Sequence, residues 1–246
     1  MIAPVEPKPS IAPAGTVRHR VGTILIALLM MSWVGAFTPD PLVLCTVPGI
    51  VGWLLLVERC RSTRVAMGWT FLFGALAIGY GYRWLAQTTQ DFGNLPVAAS
   101  WALTAIFGAL GILHGWIFVI FHRAMLARGR RPHPLVTVLL MVGAEHLPIR
   151  LFPWKVGHGA VDVPPLVQAA EWGGVSAVSF VLLCLILPIH EWVRWAFGRV
   201  GPPARPKAAL ATFALGCVLF AWGQWRYDDV QATEDAATNA PVPGSV

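Results

Sequence analysis

Apolar side chains fall along this chain in long blocks rather than in alternation. Seven blocks stand out: Val21 to Phe37, Leu42 to Val57, Val65 to Ala86, Val97 to Phe121, Leu135 to Ile149, Leu166 to Ile189, and Ala208 to Trp225. A helix needs about 20 apolar residues, with roughly 17 a lower limit, to cross the hydrocarbon core of a bilayer. Leu42 to Val57 and Leu135 to Ile149 are short on that scale and call for flanking residues or a protein-surrounded position. The expected fold class is all-α, a polytopic transmembrane helical bundle of about seven spans. Pro48 and Pro148 fall inside blocks, where neighbours must satisfy the carbonyls they free. Ala75 with Gly79, and Gly111 with Gly115, have the small-residue spacing that lets helices approach closely in lipid. No internal repeat is visible, which disfavours an inverted-repeat transporter.

The polar residues between the blocks give an orientation. Lys8, Arg18 and Arg20, then Arg59, Arg61 and Arg64, then Arg123, Arg128, Arg130 and Arg131, then Arg194, Arg199, Arg205 and Lys207 all fall on one side of a seven-span path. They are fourteen of the eighteen basic residues. Arg83, Arg150, Lys155 and Arg226 fall on the other. The positive-inside rule then puts the N-terminus in the cytoplasm and the C-terminus outside. Arg18-His19-Arg20 before Val21 resembles a signal-peptide start, but a small-residue cleavage site is missing, so a retained span is expected. Residues 1–17 hold four prolines and read as a disordered arm, 18–227 as one membrane domain, and 228–246 as an acidic disordered tail.

Composition supports the membrane reading. Of 246 residues, 56% are hydrophobic and only 12% charged, against about 25% charged in soluble domains. Mean hydropathy is +0.63, and 12 tryptophans supply interfacial anchors. The net charge of +6 is spent on topology, so nucleic-acid binding is not expected. Cys45, Cys60, Cys184 and Cys217 are far apart, with no Cys-x-x-Cys pair. His190-Glu191 lacks the second histidine of a zinc-protease motif. No metal, no cofactor and no catalytic residue is expected within this chain.

The chemistry concentrates between Met141 and Gly159. Glu145 lies in an apolar run at membrane depth, where an ionisable group costs about 2.5–3.5 kcal/mol and so needs a partner. It either braces two helices or lines a ligand pocket. After Pro148 the chain opens into Arg150, Phe152, Pro153, Trp154 and Gly157. An earlier loop carries Trp84, Phe92, Gly93 and Pro96, which also reads as an aromatic belt followed by a turn. Gln168 and Glu171 at the start of a later span are placed to meet a headgroup or water.

In order, these elements resemble the membrane domain of bacterial apolipoprotein N-acyltransferase over roughly residues 18–227. Trp84 with Phe92-Gly93 and Pro96 matches a span ending in Trp before a Phe-Gly-x-x-Pro loop. Glu145 with Phe152-Pro153-Trp154 matches the Thr-Glu-x-x-Arg and Gly-Phe-Pro-Trp elements. Gln168, Ala170, Gly174, Ser179 and Phe180 match a later Gln-x-Ala…Gly…Ser-Phe run, and Phe37-Thr38-Pro39 with Pro41 an early aromatic-proline turn. Pro148 replaces the family arginine, leaving Arg150 as the nearest substitute.

The resemblance implies a multi-pass protein of the bacterial inner membrane. It also implies an extracytoplasmic nitrilase-like domain whose Glu-Lys-Cys triad moves an acyl chain from phospholipid to a lipoprotein amine. Beyond the seventh block and Arg226, only Tyr227 to Val246 follows, without cysteine. The expectation is therefore the membrane half of a split or truncated enzyme, in lipoprotein biosynthesis. It would present phospholipid and diacylated lipoprotein to a separately encoded catalytic subunit. Its lipid- or lipoprotein-binding residues would be Trp84, Phe92, Gly93, Pro96, Glu145, Arg150, Phe152, Pro153, Trp154, Gly157 and Gln168. A non-enzymatic lipid-binding protein or scaffold of the same descent is the alternative, and a small transporter is a third reading.

Overall fold

The computed structural model describes residues 17–32, 43–147, 154–197 and 205–238, and every regular element among them is helical. Residues 1–16 of the expected 1–17 arm, the Phe37-Thr38-Pro39 turn with Pro41, and Pro148, Arg150, Phe152 and Pro153 lie outside the described residues, while Val17 already belongs to a helix.

Helix α1 (Val17–Met31) packs on α2 (Thr46–Arg59), which a 3-10 turn at Val43–Cys45 leads into. The crossing runs through Gly52, where an added Cβ would come within 2.6 Å of the Met30 nitrogen. Helix α3 (Thr63–Phe73) starts on the Ser62 hydroxyl, which accepts the Val65 N–H at 3.3 Å. It then widens into a π-helical turn, Gly74–Ile78, closes with Gly79–Gly81, and breaks at Tyr82. Beyond the break, α4 (Arg83–Asp91) is bent by 63° from its predecessor. The block Val65 to Ala86 is thus two segments rather than one straight span. The cause lies in packing against α5 (Val97–Gly111). A Cβ on Gly108 would sit 2.5 Å from both the Gly74 oxygen and the Gly79 nitrogen. Backbones this close leave no room for side chains, and the widened turn follows that contact.

Helix α6 (Leu113–Ala127) continues α5 through a single non-helical residue, Ile112. Then come α7 (Pro134–Ala144), a 3-10 turn at Val156–Ala160, α8 (Pro164–Val167), α9 (Ala170–Phe197) and α10 (Pro206–Thr238). Helix α10 runs past Tyr227, so its described end is helical where an acidic disordered tail was expected. Among the described residues, three helices are long and apolar enough to cross a bilayer: Val97–Ala127, Ala170–Ala196 and Pro206–Thr238. The bent α3–α4 pair makes a fourth if counted as one crossing. Helices α1 and α7 carry shorter apolar stretches.

The core lies between α2, α6, α7 and α9, where Leu54, Phe118, Val138 and Leu183 are fully buried. Within it the Trp53 indole donates to the Thr70 hydroxyl at 2.9 Å, tying α2 to α3. The outer faces are apolar too: Ile106, Leu110, Leu139, Val218 and Trp225 are exposed. Apolar residues on both faces of a bundle mark a protein solvated by lipid.

Candidate functional site

Helix α7 carries a polar centre at each end. Glu145 caps its C-terminal end and is buried. One carboxylate oxygen accepts the Val156 N–H at 2.8 Å and the Ser179 hydroxyl at 3.3 Å. That same hydroxyl accepts the Gly157 N–H at 2.8 Å. A carboxylate on α7 and a serine on α9 thus clamp the start of the 3-10 turn between them. Gly157 is required by close approach: a Cβ there would lie 2.6 Å from the Val175 oxygen and 2.7 Å from the Ser179 nitrogen. Trp154 enters the same wedge, 6% exposed, its ring 6.2 Å from that of His114.

Trp154, named among the expected lipid- or lipoprotein-binding residues, is buried in this wedge rather than exposed. The turn folds back into the gap between α7 and α9, carrying the indole inward. Glu145 thus ties the backbone of the turn and Ser179 to the end of α7, the geometry of a brace.

Above the brace sits a cluster that sequence spacing did not reveal. Lys155 Nζ donates to Ser176 Oγ, which lies 2.9 Å from His146 Nε2. The lysine amino group is itself 3.5 Å from that nitrogen. Ser176 stands just beyond the break in α9 at Gly173 and Gly174, where Gly174 has φ +59°. This left-handed backbone suits glycine and restarts the helix beside Lys155. An ammonium, an imidazole and a hydroxyl at the start of a helix form a setting suited to phosphate or carboxylate oxygens.

The other expected residues stand elsewhere. Trp84 and Phe92, 48% and 85% exposed, project from α4, which packs on α5. Gly93 follows α4, where a Cβ would meet the Thr89 oxygen at 2.6 Å, and Pro96 opens α5. Gln168 is half-buried at the end of α8. Its neighbour Glu171 accepts Arg226 Nε at 3.0 and 3.2 Å, so it holds α10 to α9. The structure therefore gathers Glu145, Trp154 and Gly157, while Trp84, Phe92, Gly93 and Pro96 belong to the α4–α5 arm.

The opposite end of α7 holds a buried ionic network, which sequence reading missed. Arg131 bonds to both oxygens of Glu58, at 2.9 and 3.0 Å, and to Glu191. Arg194 also bonds to Glu58, and His122 lies 3.1 Å from it. The Glu191 carboxylate accepts the Arg205 N–H at 3.1 Å. Two glutamates and two arginines balance in charge, the condition for keeping ions in an apolar interior. The available signal was that all of these residues lie on the basic-loop side of their blocks. Nearby, burial pushes the Cys60 thiol above its ordinary range, while Arg123 opposes that shift. Among the described residues, no group of three or more His, Cys, Asp or Glu is disposed to hold a metal ion.

Comparison with known proteins bears on this geometry. Residues 27–187 match the model of the apolipoprotein N-acyltransferase N-terminal domain. An apolipoprotein N-acyltransferase of Bdellovibrio bacteriovorus is 25% identical over 211 residues, which cover 82% of this chain and 37% of that protein. One from Rhodopirellula baltica is 33% identical over 91 residues, covering 35% of this chain and 16% of that protein. A riboflavin transporter of Rhizobium johnstonii is 27% identical over 219 residues, covering 78% of this chain and 72% of the transporter. The chain thus spans about a third of the length of the first of these acyltransferases.

Proposed function

The chain belongs to the family of the apolipoprotein N-acyltransferase N-terminal domain, and we propose that it is the membrane half of a lipoprotein-acylating system. In this reading it crosses the bacterial inner membrane seven times, N-terminus inside and C-terminus outside. It presents a phospholipid and a diacylated lipoprotein to a nitrilase-like catalytic subunit or domain outside. The observation that carries the reading is the extent of the family match, residues 27–187. That range contains Glu145 and Ser179, which clamp the turn, together with Trp154 and Gly157.

Each part then has a task. Glu145 and Ser179 hold the turn rigid, and buried Trp154 fills the wedge behind it. Rigidity places Lys155, His146 and Ser176 where a lipid phosphate would be held. Trp84 and Phe92, exposed on a short arm, would rest among headgroups and acyl chains, where aromatic rings are favoured. Acyl transfer itself would fall to the catalytic partner, with this chain supplying orientation.

Native mass spectrometry of detergent-extracted protein tests the reading. Lys155→Gln and the pair Trp84→Ala with Phe92→Ala should each lose phospholipid adducts while expression and elution profile stay unchanged. Unchanged adducts in both would remove these residues from substrate binding and favour a scaffold role.

One observation favours a second reading. The riboflavin transporter is matched over 72% of its own length, more than any acyltransferase named above. Riboflavin uptake by proteoliposomes containing the chain would support transport; its absence alongside retained lipid adducts would support presentation.

A further inference from the structure

At the end of α7 remote from Glu145, a cavity of about 570 Å³ opens among the basic residues that were read only as orientation signals. Among the described residues, Arg128, Arg130, Arg131, Arg205 and His133 line it, and no carboxylate does. Arg131 is the floor, its guanidinium already engaged by Glu58 and Glu191. Arg128, Arg130 and Arg205 are exposed and bring three positive charges to the rim. His133 adds a donor: its Nδ1 accepts the Leu135 N–H at 3.2 Å, so a neutral ring carries its proton on Nε2. Two helices, α7 and α10, begin at this cavity, with Pro134 and Pro206 as their first residues. Their positive dipole ends add to the arginines.

A second, independent feature says which anion fits. Met125 and Val136 also line the cavity. From Val136 an exposed apolar stripe runs along α7 through Leu139 and Gly143, spaced three and four residues apart on one face. A cationic pocket that opens onto an apolar track matches an amphiphile, not a small soluble ion.

We infer that this pocket seats the phosphate of an anionic phospholipid, with an acyl chain lying along the Val136–Leu139–Gly143 face. The site is distinct from the Glu145 end and does not depend on which reaction that end serves. Guanidinium groups suit it because their planar forks bind phosphate oxygens in pairs.

The full chain would be reconstituted in vesicles of equal parts phosphatidylglycerol and phosphatidylcholine, extracted in mild detergent, and its retained lipids weighed by native mass spectrometry. Wild type should retain phosphatidylglycerol selectively. The Arg128→Gln, Arg130→Gln, Arg205→Gln triple variant should lose that selectivity by roughly a hundredfold, about a factor of five for each charge. The corresponding triple lysine variant should keep part of it. A readout that needs no variant is the salt dependence of the wild type, whose selectivity should fall as ionic strength rises. Equal retention of both lipids by wild type would overturn the proposal, as would selectivity indifferent to salt. Displacement of phosphatidylglycerol by millimolar inorganic phosphate alone would also overturn it, because the pocket would then be one for a soluble anion.

Discussion

Glu145 accepts the main-chain N–H of Val156 at 2.8 Å, across the break between α7 and the turn that follows it. That bond fixes where the chain goes after leaving the helix. The Ser179 hydroxyl adds a second tie to the same oxygen, so α7, the turn and α9 meet at one atom.

If Glu145 is chiefly a brace, its loss costs stability. A hydrogen bond to a charged group contributes about 1.5–3 kcal/mol. Glu145→Ala should therefore lower the melting temperature in detergent clearly, while Glu145→Gln, which keeps an acceptor oxygen, should lower it less. Fluorescence-detected size exclusion after a heating series measures both. Equal and small effects would show that the brace is dispensable and return Glu145 to the pocket reading.

Gly157→Ala tests the wedge by adding one carbon. Its Cβ would fall within 2.7 Å of backbone atoms of Val175 and Ser179, which cannot swing aside as a side chain can. Overpacking of this kind costs about 1–3 kcal/mol. The control is Gly143→Ala, where an added Cβ meets nothing within 4 Å. The first variant should melt lower than wild type and the second should not, in the same heating series.

The ionic network yields the largest expected effect. Removing one member of a buried pair leaves its partner uncompensated, at about 3–5 kcal/mol. Arg131→Met strips both Glu58 and Glu191 of a partner and should sharply reduce folded yield. Arg64→Met, at an exposed position of the same charge class, should leave the yield unchanged. Comparable yields for the two would mean that water reaches the network.

How much of this was legible beforehand divides by sequence distance. The apolar blocks announced α5 with α6, α9 and α10, because a long run of apolar residues can do little else than form a buried or lipid-facing helix. Glu145 announced itself as an ionisable group where none is cheap. The break at Tyr82 was not visible: it accompanies the close approach of Gly108 to Gly74 and Gly79, of which the small-residue spacing had singled out only Gly79. The network was hidden more deeply, since Glu58 and Arg194 meet across 136 residues of sequence. Each looked like the charged end of its own helix. Ser176 and His146 were equally silent, because the restart of α9 at Gly174 is what brings them together.

The two ends of α7 also make opposite predictions about the membrane. Arg131 and the arginine-lined cavity stand at one end, while Glu145, Lys155 and His146 stand at the other. An 11-residue helix rises only about 16 Å, about half a bilayer's hydrocarbon thickness, so α7 alone does not separate the two water phases. The flanking loops are then expected to supply the rest, and the charge asymmetry predicts which way they point. Reporter fusions after Arg64 and after Arg131 should report cytoplasm, and fusions after Pro96 and after Thr238 should report the outside. Should Thr238 report cytoplasm, α10 would not be a seventh crossing, and a catalytic partner outside could not meet the chain at that end. Should Pro96 report cytoplasm, Trp84 and Phe92 would lie on the same side as the arginines, and the arm would no longer face the lipid leaflet assigned to the substrates.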